Sequence, residues 1–222
     1  MDLRLATLRL PFVSEKADYT LDMWSVTPSG DDLLDAVTGR NYAALFIHYM
    51  RFFDAPHMLY HMSACWHERG TARDSTQTAF ADEFNQAVIA MPVPYGISKH
   101  PAGTFSGLTA REAVLRLPYM SENDEGRLVI RLLETRNTDE DSQLGRSLAR
   151  CAIQMVREQN NATLFKEIML ADGTAYLNAN RPGFAVGYSH VMAEAATTSA
   201  ADSTEPQKRM LPVYRDAMAG VI

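Results

Sequence analysis

Between Asp31 and Leu170 the apolar residues return every three or four positions, punctuated by residues that start or stop helices. That spacing restricts the stretch to amphipathic helices packed on one another. Asp31, Asp32 and Asp35 favour a helix start through the macrodipole, and Leu34, Val37, Leu45, Ile47, Met50 and Phe53 carry the period on to Asp54. Apolar residues lie almost all round Tyr42–Phe53, which predicts a buried central helix. Asp54, with Pro56 in the first turn, opens a second helix. Asp74-Ser75 opens a third, with Phe80, Phe84, Ala87 and Val88 on one face and Pro92 at its end. Thr109-Ala-Arg-Glu112 is a capping box for a short helix that stops at Pro118. Ser121 opens another, with Leu128, Val129, Leu132 and Leu133 as its stripe, and Thr138 to Asp141 begin the longest, over 139–159. A further helix runs through Leu164, Phe165, Ile168 and Met169.

Outside that stretch the pattern changes. Leu3, Leu5, Leu8, Leu10 and Phe12 alternate with polar residues, which predicts an N-terminal strand with one bulge. Residues 92–107, with three prolines and three glycines, read as a long irregular connection and a contact surface. Phe184–Tyr188 reads as a short strand and Ser189 as the start of a helix that fades into the polar run 195–207. The expected fold is therefore mainly α: a multi-helix globular domain packed around a central apolar helix, with a minor N-terminal β-strand contribution. Residues 1–193 form the helical domain, and 194–222 a linker-like tail and C-terminal segment.

Composition narrows the function classes. With 222 residues, 46% apolar and 22% charged, the chain buries a sizeable core and is not a disordered segment. A net charge of −6 supplies no global field toward nucleic acid or an anionic membrane. Only four of the 21 basic residues, Lys16, Lys99, Lys166 and Lys208, are lysines, and arginine's planar fork suits fixed ion pairs and phosphate contacts. Two cysteines 86 positions apart form no disulfide framework, and no apolar run is long enough to span a membrane. Asp2, Arg4 and Arg9 break the layout of a secretory signal. The expectation is a cytoplasmic protein with no membrane association.

The densest chemical signal is four of the six histidines, His48, His57, His61 and His67, within 20 residues, with Cys65 among them. On a helix, His57, His61, Cys65 and Glu68 fall within about 80° of one another. The i, i+4 pair His57/His61 is spaced to hold a divalent metal, with Cys65 as a further ligand. The motif HMLYH lacks the glutamate that a zincin uses as its base. Cys65 with His61 one turn back is also the nearest approach to a thiol nucleophile, though no orienting Asn or Asp accompanies them in recognisable order. His48, between Phe46, Ile47 and Tyr49, reads as a core histidine, and Cys151 falls on an apolar stripe with Leu144, Leu148 and Met155.

On the longest helix Arg146, Arg150 and Arg157 lie within about 40° of each other, opposite that stripe, with Ile153 intruding. Three aligned guanidiniums could track phosphates or dock an acidic partner. The alternative is a solvated face, or pairing with Glu122, Asp124, Glu125 and Glu134. Leu108-Thr-Ala-Arg-Glu-Ala-Val-Leu-Arg-Leu117 resembles the opening helix of a LuxR-type helix-turn-helix over ten residues. The next residues, Pro118-Tyr-Met-Ser-Glu-Asn-Asp124, have neither the glycine turn nor the recognition helix of that family, so the resemblance implies no function.

There is no GxxxxGK[ST], no GxGxxG after a strand, no GxSxG and no CxxC. These residues are best read as a non-catalytic interaction or assembly component of a larger complex or homo-oligomer, with a protein partner or self-association. Two alternatives stand beside it: a nucleic-acid-associated protein using the arginine face, and a metal-dependent or cysteine enzyme centred on His57, His61 and Cys65.

Overall fold

Helix starts are set by side chains that accept orphan backbone N–H groups. The computed structural model describes residues 2–68, 74–90, 101–132, 135, 137–171 and 180–202. In α2 (Asp32–Phe52) the Asp31 carboxylate accepts from the Leu33 and Leu34 N–H groups at 2.9 and 3.1 Å. Capping boxes open α4 (Ser75–Ile89) at Asp74/Gln77 and α5 (Ala110–Leu115) at Thr109/Glu112. Asn137 caps α6 (Thr138–Gln159), which ends on left-handed Asn160 at φ 49°. Between these lie α3 (Met58–Glu68) and, later, α7 (Leu164–Leu170) and α8 (Pro182–Asp202). The protein is mainly helical, with two small antiparallel hairpins among the described residues.

Several expectations are corrected. The N-terminal strand over 3–12 is instead α1 (Leu3–Thr7), capped by Asp2. Thr7 hydrogen-bonds back to the Leu3 carbonyl at 2.7 Å and meets the Tyr49 hydroxyl at 2.6 Å, which fixes the helical turn against α2. Alternation had placed Leu5 inward; the helix leaves it 60% exposed. The N-terminal β contribution lies further on, where β1 (Ser14–Glu15) pairs with β2 (Leu21–Asp22).

The helix expected from Ser121 is a hairpin, β3 (Met120–Glu122) with β4 (Leu128–Ile130), in register Met120↔Ile130. Its turn explains the difference. The Asn123 side chain accepts from the Glu125 and Arg127 N–H groups, and Gly126 adopts φ 75°. Phe184–Tyr188, read as a strand, is the first part of α8, entered through Pro182 at a position where a missing N–H costs nothing.

α6 packs along α8 and α2 along α4, while α8 also touches α2, α3 and α4. The more deeply packed helix is therefore α8, where Phe184, Ala185, Val191, Met192, Ala193, Ala195 and Ala196 are all buried, while Val186 stays exposed and His190 and Glu194 are half-buried. The 42–53 part of α2 is buried on one side only. Small residues decide this. A Cβ added at Gly145 would strike the Phe184 carbonyl oxygen, and one at Gly187 the Ser142 carbonyl oxygen, so the two backbones lie in direct contact. Residues 194–202 continue α8, so the 193/194 boundary falls within a helix; the rest of the expected tail, 203–222, lies outside the described residues. Residues 2–26 cover the other end of the core, where Phe12 and Trp24 are fully buried against Phe46 and Phe80.

Candidate functional site

His57 precedes α3, its carbonyl accepting from the Tyr60 N–H at 3.1 Å, and His61 lies one turn later. Both side chains are exposed, with ring centroids 6.0 Å apart and nearly perpendicular. Local desolvation, with His57 alongside, holds His61 below the ordinary imidazole value. Cys65 does not join them. It is 7% exposed, and its Sγ–H donates to Asp22 Oδ1 of β2 at 3.2 Å. The helical wheel put all three on one face; packing turns the thiol toward the N-terminal hairpin and leaves the imidazoles at the surface. Among the described residues no group of three or more His, Cys, Asp or Glu side chains is placed to hold a metal ion. The side chains of His67 and Glu68 lie outside the described residues.

His48 is half-buried at the edge of α2, beside Phe52 with ring centroids 6.4 Å apart, so it is not a core residue. Burial, then the Arg51 charge, holds its pKa down. Cys151 is a core residue as expected: 3% exposed, with its thiol pushed up to about 12 by burial.

Arg146, Arg150 and Arg157 do share one side of α6, but all three are half-buried, and Ile153 between them is 3% exposed. Arg157 Nε donates to the Ile89 carbonyl at the end of α4 at 3.3 Å, and burial lowers its pKa. A cation at that place satisfies a helix C-terminus. Arg150 Nε is buried without a hydrogen-bond partner. Two of the acids expected opposite them are engaged elsewhere: Glu122 pairs with Arg111 at 2.8 Å and Glu125 with Arg127 at 3.3 Å. Glu134 lies outside the described residues.

Of the irregular 92–107 connection, residues 92–100 lie outside the described residues, and 101–107 are fastened to the end of α6. Glu158 accepts from the Gly103 and Phe105 N–H groups at 3.0 and 2.8 Å, and Gln154 donates to the Pro101 carbonyl at 3.1 Å. Phe105 is fully buried beneath them.

The feature that periodicity missed is the outer side of α2. Leu33, Leu34, Val37 and Phe52 are 74%, 54%, 41% and 56% exposed. At about 100° per residue they fall with Ala44 in an arc about 100° wide, opposite the buried Ala43, Phe46 and Met50. Apolar letters all round a helix read as full burial; here one half faces the core and the other faces water. Beside this stripe an open polar groove of about 450 Å³ runs between α2 and α4, lined by Arg40, Thr78, Asp82, Glu83 and Gln86 among others.

No helix among the described residues is long and apolar enough to cross a membrane. Comparison with protein-family models, with curated proteins and with solved structures gives no match to this chain.

Proposed function

We propose that this chain is a non-catalytic assembly component, working in the cytoplasm, that docks another protein surface through the outer face of α2. One observation carries the reading: four large apolar side chains stand exposed along one side of a helix whose other side is already buried. Apolar side chains exposed together, as Leu33, Leu34 and Val37 are, mark contact surfaces more often than isolated hydrophobic residues do. The absence of a catalytic motif in the sequence agrees with it, as does the turn of the Cys65 thiol away from His57 and His61 toward Asp22. The half-buried arginine side of α6 and the two-histidine pair offer no comparable observation for nucleic acid or metal.

The test is the size of the native particle. Gel filtration of lysate from cells that make the protein should find it well above the mass of one chain. Val37→Arg, at a 41% exposed position, should release it to the monomer volume without changing its far-UV circular dichroism. Wild-type protein already at the monomer volume would overturn the reading.

A further inference from the structure

We infer that α6 holds one small oxyanion of the phosphate class beside α8, with Arg146 and Arg150 as its donors; the inference goes beyond the assembly reading and does not depend on it. Arg150 is half-buried, and its Nε lies out of reach of solvent with no acceptor in hydrogen-bond range. Buried N–H groups are nearly always satisfied, so an unmet one on a charged side chain marks a place where an acceptor belongs. Arg146 stands one turn earlier on the same side of α6 and is also half-buried. Among the described residues neither guanidinium is paired with a carboxylate.

The surrounding acids leave that charge standing. α6 and α8 run parallel in direct contact, Gly183 against Thr138 and Gly187 against Ser142. Cys151 of α6 adjoins Tyr188 of α8 on one side of the seam. At about 100° per residue, Arg146 and Arg150 fall on the other side, together with His190 and Glu194 of α8. Glu194 meets His190, Oε1 to Nε2, at 2.9 Å. The next acid along that side of α6 is Asp139, exposed and two turns before Arg146. Glu158 accepts from the Gly103 and Phe105 N–H groups, and Arg157 donates to the Ile89 carbonyl, so the unpaired cations are Arg146 and Arg150. Two guanidiniums match the near-double negative charge of a phosphate at neutral pH, and their planar forks fit its oxygens. A recessed pair suits one anionic group, not the run of phosphates along a nucleic-acid strand.

The test is calorimetric titration of purified full-length chain with inorganic phosphate at constant ionic strength. Wild type should bind a single phosphate per chain, saturating in the low millimolar range or below. Arg150→Gln and Arg146→Gln should each weaken that binding about tenfold or more, with unchanged far-UV circular dichroism. Arg150→Lys keeps the charge without the fork and should retain only part of the affinity. No saturable binding in the wild type, or affinity unaltered in both Gln variants, would overturn the site. Acetate binding as tightly as phosphate would overturn the phosphate class. Val37→Arg should bind phosphate as the wild type does, so the lysate particle and the phosphate site are lost by different substitutions and either reading can fail alone.

Discussion

Asp35 and Asp141 show how single carboxylates hold separate parts of this chain together. Asp35, 4% exposed on α2, accepts from the Ser29 N–H at 2.7 Å and from the Ser29 and Ser75 hydroxyls at 2.8 Å each, tying the preceding turn and α4 to α2. Asp141, in the first turn of α6, accepts from Arg181 Nε at 3.0 Å and from the Thr135 hydroxyl, joining α6 to the entry of α8. The Ser29 donors hold the Asp35 carboxyl below its ordinary range, and Arg181, then Thr135, does the same for Asp141. A carboxylate whose folded pKa is depressed contributes stability that is whole above the unfolded value near 4 and is lost as pH falls through the folded value. Urea midpoints should therefore fall steeply below about pH 4 in the wild type. Asp35→Asn and Asp141→Asn should each be less stable at neutral pH and show a shallower acid slope; slopes equal to wild type would refute the assignment. His61 adds a milder loss that begins near its unfolded value of about 6.5, because the folded state favours its neutral ring.

At the scale of elements, the α6–α8 contact turns on glycines. Gly183 approaches the Thr138 carbonyl so closely that an added Cβ would sit 2.6 Å from it, and Gly145 and Gly187 are tighter still. Gly187→Ala should gain about 1 kcal/mol of helix propensity and lose more, since the obstacle is backbone that cannot swing away. Overpacking of this kind costs about 1–3 kcal/mol, and the melting temperature should drop by several degrees. An unchanged or higher melting temperature would mean that the two helices separate freely. Starts of elements were legible because a cap is local: Asp31, Asp74, Thr109 and the 138 start all act within three residues of themselves. The hairpin of β3 and β4 was missed because Leu128, Val129 and Ile130 fit either period, and only the turn from Asn123 to Gly126 separates the two.

For the molecule as a whole, the N-terminal 26 residues close the core instead of trailing from it. Trp24 stacks its edge on Trp66 and Phe80 at 5.3 Å, and Phe12 stands 6.0 Å from Phe46. Trp24→Ala should cost about 3–5 kcal/mol, as large aromatic deletions in a packed core do. The variant should unfold in one step at lower urea; a loss below about 1 kcal/mol would show that the segment is peripheral. The same scale explains the candidate surface. Which apolar side of α2 is free depends on where α4 and α8 lie, and nothing in the run from Leu33 to Phe52 distinguishes the two sides.

What the sequence by itself determined is the helical class of the protein, most of its helix starts and the core placement of Cys151, because capping and periodicity depend on neighbours three or four residues away. What only the tertiary structure decided is that α8 is packed more deeply than α2, that Cys65 turns from the histidines to Asp22, that Arg157 closes α4, and that one side of α2 is bare. Each of those depends on which distant segment comes close, which neighbours three or four residues away do not specify.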